Sequence, residues 1–266
     1  MSAEQVLPAG HDKAAFPWRD KLRASGIHLG LSLAVALLAG LLVFGLWYPY
    51  PYREISGGRE LFLIVVSVDI VLGPLITFVI FSRGKPLPEL KRDLAFVVLI
   101  QLSALGYGLW TVFIARPVHL VFEVDRFRAV HAVDVDAGLL KKKPAGVQAM
   151  PLSGPTLLAV RPFKDGNESA EATMAALQGA DLGARPDLWK PYPAAKAEVL
   201  AAAKPALSLK TRFSKDAGEI DRVLRAAGRT AENTAYLPMV GRKSFWTVFL
   251  DPTTAEVVGF MPLDSF

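Results

Sequence analysis

Residues 61–81 read LFLIVVSVDIVLGPLITFVIF. These 21 residues contain no Lys, Arg or Glu, and at about 1.5 Å rise per residue they cover about 31 Å, the thickness of a bilayer's hydrocarbon core. The stretch is read as a membrane-spanning helix. Two neighbours share its character, residues 27–47 and 94–115, of 21 and 22 residues. One such segment can be the buried helix of a soluble protein; three in succession, all of membrane length, set that reading aside. The composition agrees, with 52% hydrophobic residues and a mean hydropathy of +0.32, more apolar than an ordinary soluble domain.

The first segment follows Lys13, Arg19, Lys21 and Arg23 and has the outline of a secretory signal. It is too long for one, and it ends in Trp47-Tyr48-Pro49-Tyr50 where a signal peptidase needs small residues. It is therefore kept as an anchor. Four Lys/Arg precede it and four more lie in residues 82–93 (Arg83, Lys85, Lys91, Arg92), against two in residues 48–60 (Arg53, Arg59). Basic flanks stay cytoplasmic, which puts the C-terminal region on the far side of the membrane. The expected fold class is a membrane protein with three transmembrane α-helices followed by a soluble α+β periplasmic domain. Its expected parts are a cytoplasmic arm (1–26), a three-helix bundle (27–115) and a periplasmic domain (116–266), with the boundary at Arg116-Pro117.

Within the distal region, β-rich runs at 119–124, 127–133, 156–161, 245–250 and 256–261 predict strands, the last two joined by the five-residue loop Asp251-Pro252-Thr253-Thr254-Ala255. Helical spacing predicts helices over 169–178, 194–203 and 214–227, with Gly228 as a stop.

Signs of catalysis are thin. The chain has no cysteine, which removes disulfides, thiol nucleophiles and Cys-ligated metals. Its four histidines, His11, His28, His119 and His131, form no metal-binding spacing, and the last two read as packed or surface strand residues. Gly241-Arg242-Lys243-Ser244 lacks the upstream glycine and the following helix of a phosphate loop. No catalytic residue, metal ligand or cofactor site is predicted. The net charge of +5 resolves into the cytoplasmic flanks and a nearly neutral distal region whose one basic run, Lys141-Lys142-Lys143, reads as a solvated turn, so no nucleic-acid partner is expected.

The sharpest polar feature is Asp69, ninth in residues 61–81 and close to mid-membrane, where a carboxylate costs about 2.5 to 3.5 kcal/mol on insertion scales. Gly73-Pro74 follows it, and the proline removes one helix hydrogen bond and predicts a kink. Depth counting puts Tyr107 of the third segment near the level of Asp69 as its expected intramolecular partner. Three readings stand open: Asp69 locks the bundle, receives a donor from another protein's membrane helix, or belongs to a proton path. Ser32, Ala36 and Gly40 on the first span and Ala104 and Gly108 on the third have the four-residue spacing of small residues that lets helices approach. That spacing serves the chain's own bundle or a partner helix equally well.

A family resemblance rests on several of these stretches. Ser25-Gly26-Ile27-His28, Trp47-Tyr48-Pro49, Val68-Asp69-Ile70-Val71-Leu72-Gly73-Pro74-Leu75, Gln101-Leu102-Ser103-Ala104-Leu105-Gly106-Tyr107-Gly108, Arg116-Pro117-Val118 and Tyr236-Leu237-Pro238-Met239-Val240-Gly241-Arg242 together resemble the TfpX/TfpZ family of type IV pilin accessory proteins. The likeness runs from Leu22 through the closing hairpin, is strongest in the membrane part and does not cover residues 180–206. It implies an inner-membrane protein of a Gram-negative bacterium, with a periplasmic C-terminal domain, that assists the major type IV pilin in assembly, stability or retraction. The leading expectation built on it is a non-enzymatic helper whose bundle holds or releases the pilin's membrane helix in the lipid bilayer while its periplasmic domain contacts the pilin head. It carries over no catalytic residues. A membrane-tethered periplasmic sensor or ligand-binding module is the alternative; an envelope hydrolase would need a catalytic set that the sequence does not display.

Overall fold

The computed structural model describes residues 18–81 and 85–266. His11, Lys13 and Arg83, and with them most of the N-terminal arm, lie outside the described residues. Helix α1 (Trp18–Leu42) passes into a π-helical turn (Val43–Trp47), a single turn α2 (Tyr52–Ile55) follows, and α3 (Gly58–Ile80) and α4 (Leu87–Ile114) complete the helical part. Among the described residues, three helices are long and apolar enough to cross a membrane: α1 with its π-turn, α3 and α4. The helices α1 and α4 start ahead of their apolar stretches, so Arg19, Lys21, Arg23, Lys91 and Arg92 lie on helical turns. A helix extended past the hydrocarbon keeps its backbone groups paired while its charges meet headgroups and water.

Beyond Arg116 comes a mixed sheet. Its strands are β1 (Pro117–Glu123), β2 (Arg126–His131), β3 (Thr156–Val160), β4 (Trp189–Pro191), β5 (Lys204–Pro205), β6 (Ala235–Val240), β7 (Phe245–Leu250) and β8 (Val257–Met261). They run in the order β4-β3-β1-β2-β6-β7-β8, with β5 beside the first half of β6. The β1–β3 and β2–β6 pairs are parallel and the rest antiparallel. Between β3 and β6 the chain forms α5 (Gly166–Leu177), α6 (Lys196–Ala202), α7 (Ala206–Arg212) and α8 (Ala217–Ala226).

Both sheet faces are covered. Leu120, Phe122, Leu237, Met239, Val248 and Leu250 pack on one side with Val199 of α6 and with Ile55, from the loop between the first two spans. On the other side, Tyr236, Phe249 and Met261 meet Leu209 of α7 and Ile220 and Leu224 of α8, while Val121, Val130 and Leu158 meet Trp189. Burial on two sides explains why β1 is buried at every residue and why its sequence lacks the apolar-polar alternation of a one-sided strand.

Each strand expected from the sequence is present within one or two residues, as is the closing hairpin loop. In that loop the Asp251 side chain accepts the N–H groups of Thr253 and Thr254, both at 2.8 Å. These bonds hold its carboxyl down at about 2. Ala255 closes the loop with φ of 62°, where glycine is the usual residue; its side chain is buried in the core and its carbonyl accepts the Tyr192 hydroxyl at 2.6 Å. Strands β4, β5 and β6 and helix α7 were not expected. Pro238 interrupts the reading of β6, and β4 and β5 have three and two residues, too short to show a period.

Contact density divides the chain into two compact units. One joins the chain up to Ala36 with Val66–Leu105, and the other joins Leu37–Val65 with Gly106–Phe266. Residues 37–47, 58–65 and 106–114 of the three long helices therefore belong with the sheet. Within this second unit the Tyr48 hydroxyl donates to the Val112 carbonyl at 3.0 Å, and Lys243 of the β6–β7 turn pairs with Glu60.

His119 on β1 is wholly buried. Its Nε2 donates to the Ala149 carbonyl at 3.0 Å and its Nδ1 accepts from the Thr156 hydroxyl at 2.7 Å. Burial pulls its pKa from 6.5 to about 4. The unfolded chain therefore binds a proton that the folded chain refuses, and His119 withdraws stability as the pH falls from 6.5 to 4, on the order of 3 kcal/mol. We expect His119→Gln to lose that component: chemical denaturation of the solubilised protein at pH 7 and pH 4 would show a smaller acid loss than in the parent chain.

Candidate functional site

In the first compact unit, α1, α3 and α4 surround a cavity of about 520 Å³. Its walls are mainly aliphatic, including Ile27, Leu31, Val98 and Leu105, and five polar side chains reach it: His28, Ser32, Asp69, Thr77 and Gln101. Asp69, Gly73 and Thr77 stand four residues apart on α3, and so share one helix face. One carboxylate oxygen of Asp69, Oδ1, is buried without a hydrogen-bond partner.

The polar groups around Asp69 come from the neighbouring helices. His28 Nδ1 is hydrogen-bonded to Thr77 Oγ1 at 2.5 Å, and the Ser25 hydroxyl donates to the Pro74 carbonyl at 2.8 Å. A Cβ at Gly73 would lie 2.0 Å from Gln101 Nε2 and 3.0 Å from His28 Nε2. The bare backbone at Gly73 thus gives the Gln101 amide and the His28 ring their room, one turn from Asp69. Pro74 lies inside α3, which runs unbroken from Gly58 to Ile80.

Of the residues singled out in the sequence, Asp69, Ser32 and Ala36 line the cavity, and Gly73 carries the bare strip behind it. Gly40 faces the Phe62 ring at ordinary contact distance, with 3.4 Å to a Cβ placed there. Gly108 packs against Val65, whose Cγ1 would stand 2.5 Å from a Cβ. Ala104 is exposed. Tyr107 is 74% exposed and is not among the residues lining the cavity, so it does not supply the bond expected of it for Asp69 Oδ1. His28, Thr77, Gln101 and Ser25 were missed as site residues. Thr77 was readable from its eight-residue spacing to Asp69; the others needed the helix pairing.

A second concavity, of about 680 Å³, opens in the sheet-bearing unit. Trp246, Val258 and Phe260 make its apolar part, and Tyr50, Glu54 and the ion-paired Glu219 and Arg222 also line it. Among the described residues no group of three His, Asp or Glu side chains is placed to hold a metal ion.

Comparison with known proteins gives a consistent result. A family model for the fimbrial assembly protein FimB matches residues 16–57. The serogroup I fimbrial assembly protein of Dichelobacter nodosus is 37% identical over 246 residues, which covers 92% of this chain and 95% of that protein. The serogroup E1 protein of the same organism has the same identity and coverage. The protein of serogroups C1 and C2 is 42% identical over 113 residues, 42% of this chain. No solved structure matches. The chain belongs to the fimbrial assembly protein family, in agreement with its resemblance to type IV pilin accessory proteins.

The close approach at Gly108 is directly testable. A β-branched side chain such as Val65 has little rotamer freedom to yield, so Gly108→Ala forces the two helices apart and is expected to cost about 1 to 3 kcal/mol. Gly106 has nothing within 4 Å of its would-be Cβ, and Gly106→Ala is expected to be neutral or slightly stabilising. Thermal unfolding of the solubilised protein, followed by tryptophan fluorescence, compares the two.

Proposed function

We propose, from the premise of that family membership, that the chain acts in the bacterial inner membrane as a non-enzymatic assembly factor for type IV pili. Its N-terminal arm and the 82–93 loop would be cytoplasmic and its sheet domain periplasmic, the orientation that the Lys/Arg distribution favours. The cavity among the three helices would receive the apolar membrane helix of the pilin. The concavity around Trp246 and Phe260 would be available to the pilin's periplasmic head.

The observation that carries the membrane part of this reading is the unpartnered Oδ1 of Asp69 at a largely aliphatic cavity. A polar atom buried without a partner costs about 1 to 3 kcal/mol, and in a bilayer such a group ordinarily faces protein or a water-filled space. A hydrogen-bond donor on an entering helix would supply the missing bond. The aliphatic walls would supply packing, and Ser32 and Ala36 close approach.

Asp69→Leu removes the bare oxygen and leaves a side chain suited to the cavity. Its expected effect is a several-fold loss of pilin captured with the solubilised protein, with no loss of thermal stability. Unchanged capture and piliation would refute the role given to Asp69. For the orientation, alkaline phosphatase fused after Phe266 is expected to be active and the same enzyme placed in the 82–93 loop inactive; the opposite pattern would invert the topology.

A further inference from the structure

Arg116, two residues beyond α4, is 3% exposed. Its guanidinium donates to the Phe113 carbonyl at 2.8 Å and to the Pro151 carbonyl at 3.3 Å, while its own carbonyl accepts the Ala132 N–H at 2.9 Å. On the neighbouring span, the Leu46 carbonyl accepts the Gly154 N–H at 2.7 Å. Two segments of the sheet domain, around Ala132 and from Pro151 to Gly154, are thus bonded to the ends of two membrane spans.

Those ends carry the residues that mark a bilayer interface. Trp47 meets Phe113 edge to face at 5.0 Å, and Trp110 stands one turn earlier with 57% of its surface exposed. Next to the residues bonded to those ends, the sheet domain shows two exposed aliphatic side chains, Val133 at 54% and Leu152 at 62%. A single exposed Leu on a soluble surface is unremarkable. Here each adjoins a residue bonded to the end of a span, Val133 following Ala132 and Leu152 following Pro151. Arg242, at the β6–β7 turn, is exposed. It lies within electrostatic reach of the Asp134 carboxylate, which follows Val133, and of Tyr48, whose hydroxyl is bonded to the Val112 carbonyl.

We propose that this rim of the sheet domain is a lipid-contacting surface, seated in the headgroup layer of the membrane the helices cross. Val133 and Leu152 reach the acyl boundary as an interfacial apolar residue does, and Arg242 faces lipid phosphate. Position selects the bilayer surface as occupant: the two apolar tips adjoin residues bonded to the ends of the spans, and Arg242 stands near them beside Asp134. Two loops, the β6–β7 turn and two spans then fix the orientation of the domain on the membrane. The inference rests on membrane insertion of the helices and is independent of any pilin.

Because the chain has no cysteine, single probes need no background substitutions. Val133→Cys, Leu152→Cys and Ser153→Cys, with Leu177→Cys (78% exposed) as the aqueous control, would each be labelled with an environment-sensitive fluorophore. The full-length protein would then be reconstituted in phosphatidylcholine/phosphatidylglycerol vesicles. The rim probes are expected to emit further to the blue, to be quenched by lipids carrying a shallow doxyl group, and to show several-fold less iodide quenching than the control. Iodide access equal to that at position 177, in the rim variants that fold, would overturn the proposal. So would shielding without lipid quenching that disappears on dilution with lipid, which would place a second copy of the chain on this surface.

Discussion

Everything beyond the membrane hangs on how a charged side chain is housed at its edge. Arg116 is buried and makes no ion pair among the described residues; the carbonyls of Phe113 and Pro151 and the face of the Phe113 ring, 3.9 Å away, take its charge. A buried cation survives only where hydrogen bonds and ring faces replace its water. Each of those partners belongs to a different structural duty. Phe113 ends the third span, Pro151 opens the loop that binds Leu46 of the first, and Arg116 itself leads directly into β1. Since β1 lies between β2 and β3, the placement of the sheet follows from the residue that precedes it. An apolar residue at 116 would take from the Pro151 carbonyl its donor and from the Phe113 carbonyl one of its two, and so loosen the joint.

The fold was readable where a single physical signal dominated. Twenty or so apolar residues without a full charge have one comfortable environment, and all three such stretches became long helices. The outer strands of the sheet were equally legible, down to the loop that Asp251 organises. The part that residues 48–60 play in the core was not legible. Ile55 is wholly buried in the core of the sheet, yet Tyr52-Arg53-Glu54-Ile55 shows no period in so few residues. Strand β6 was hidden for a different reason: Pro238, which argues against a central strand, is tolerated between β2, β5 and β7 because β2 is bonded to only the last two residues of β6, Met239 and Val240, and β5 to its first two. Local sequence does not contain that division of partners.

At the candidate site, depth was legible in the chain and direction was not. Asp69 stands out at any level of reading, because a carboxyl in mid-membrane is costly. Its surroundings depend on azimuth. Gln101 and Tyr107 lie six residues apart on α4, which turns the two side chains about 120° from one another. The inward one, Gln101, reaches the strip of α3 at Gly73, and Tyr107 stays exposed. Counting residues from a span's end places both within two turns of mid-membrane and cannot choose between them. The same reason separates Gly108, packed on Val65, from Ala104, exposed one turn away.

The composition of the cavity bears on why an acid would be kept there. For a pure bundle lock, the economical arrangement is a carboxyl with both oxygens satisfied by the donors at hand, and donors are at hand. The Gln101 amide and His28 ring converge one turn away, and yet His28 is engaged by Thr77 and Oδ1 of Asp69 stays bare. A bare oxygen weakens the resting protein and rewards whatever brings a hydrogen-bond donor to it. On the proposed reading, that difference between empty and filled states is the useful quantity: an apolar helix without a donor gains only packing, and one with a donor gains the bond as well. Packing alone discriminates weakly among apolar helices in a bilayer, since lipid tails compete on equal terms. A single unsatisfied acid in a mainly aliphatic cavity would therefore supply selectivity that Leu31, Val98 and Leu105 cannot.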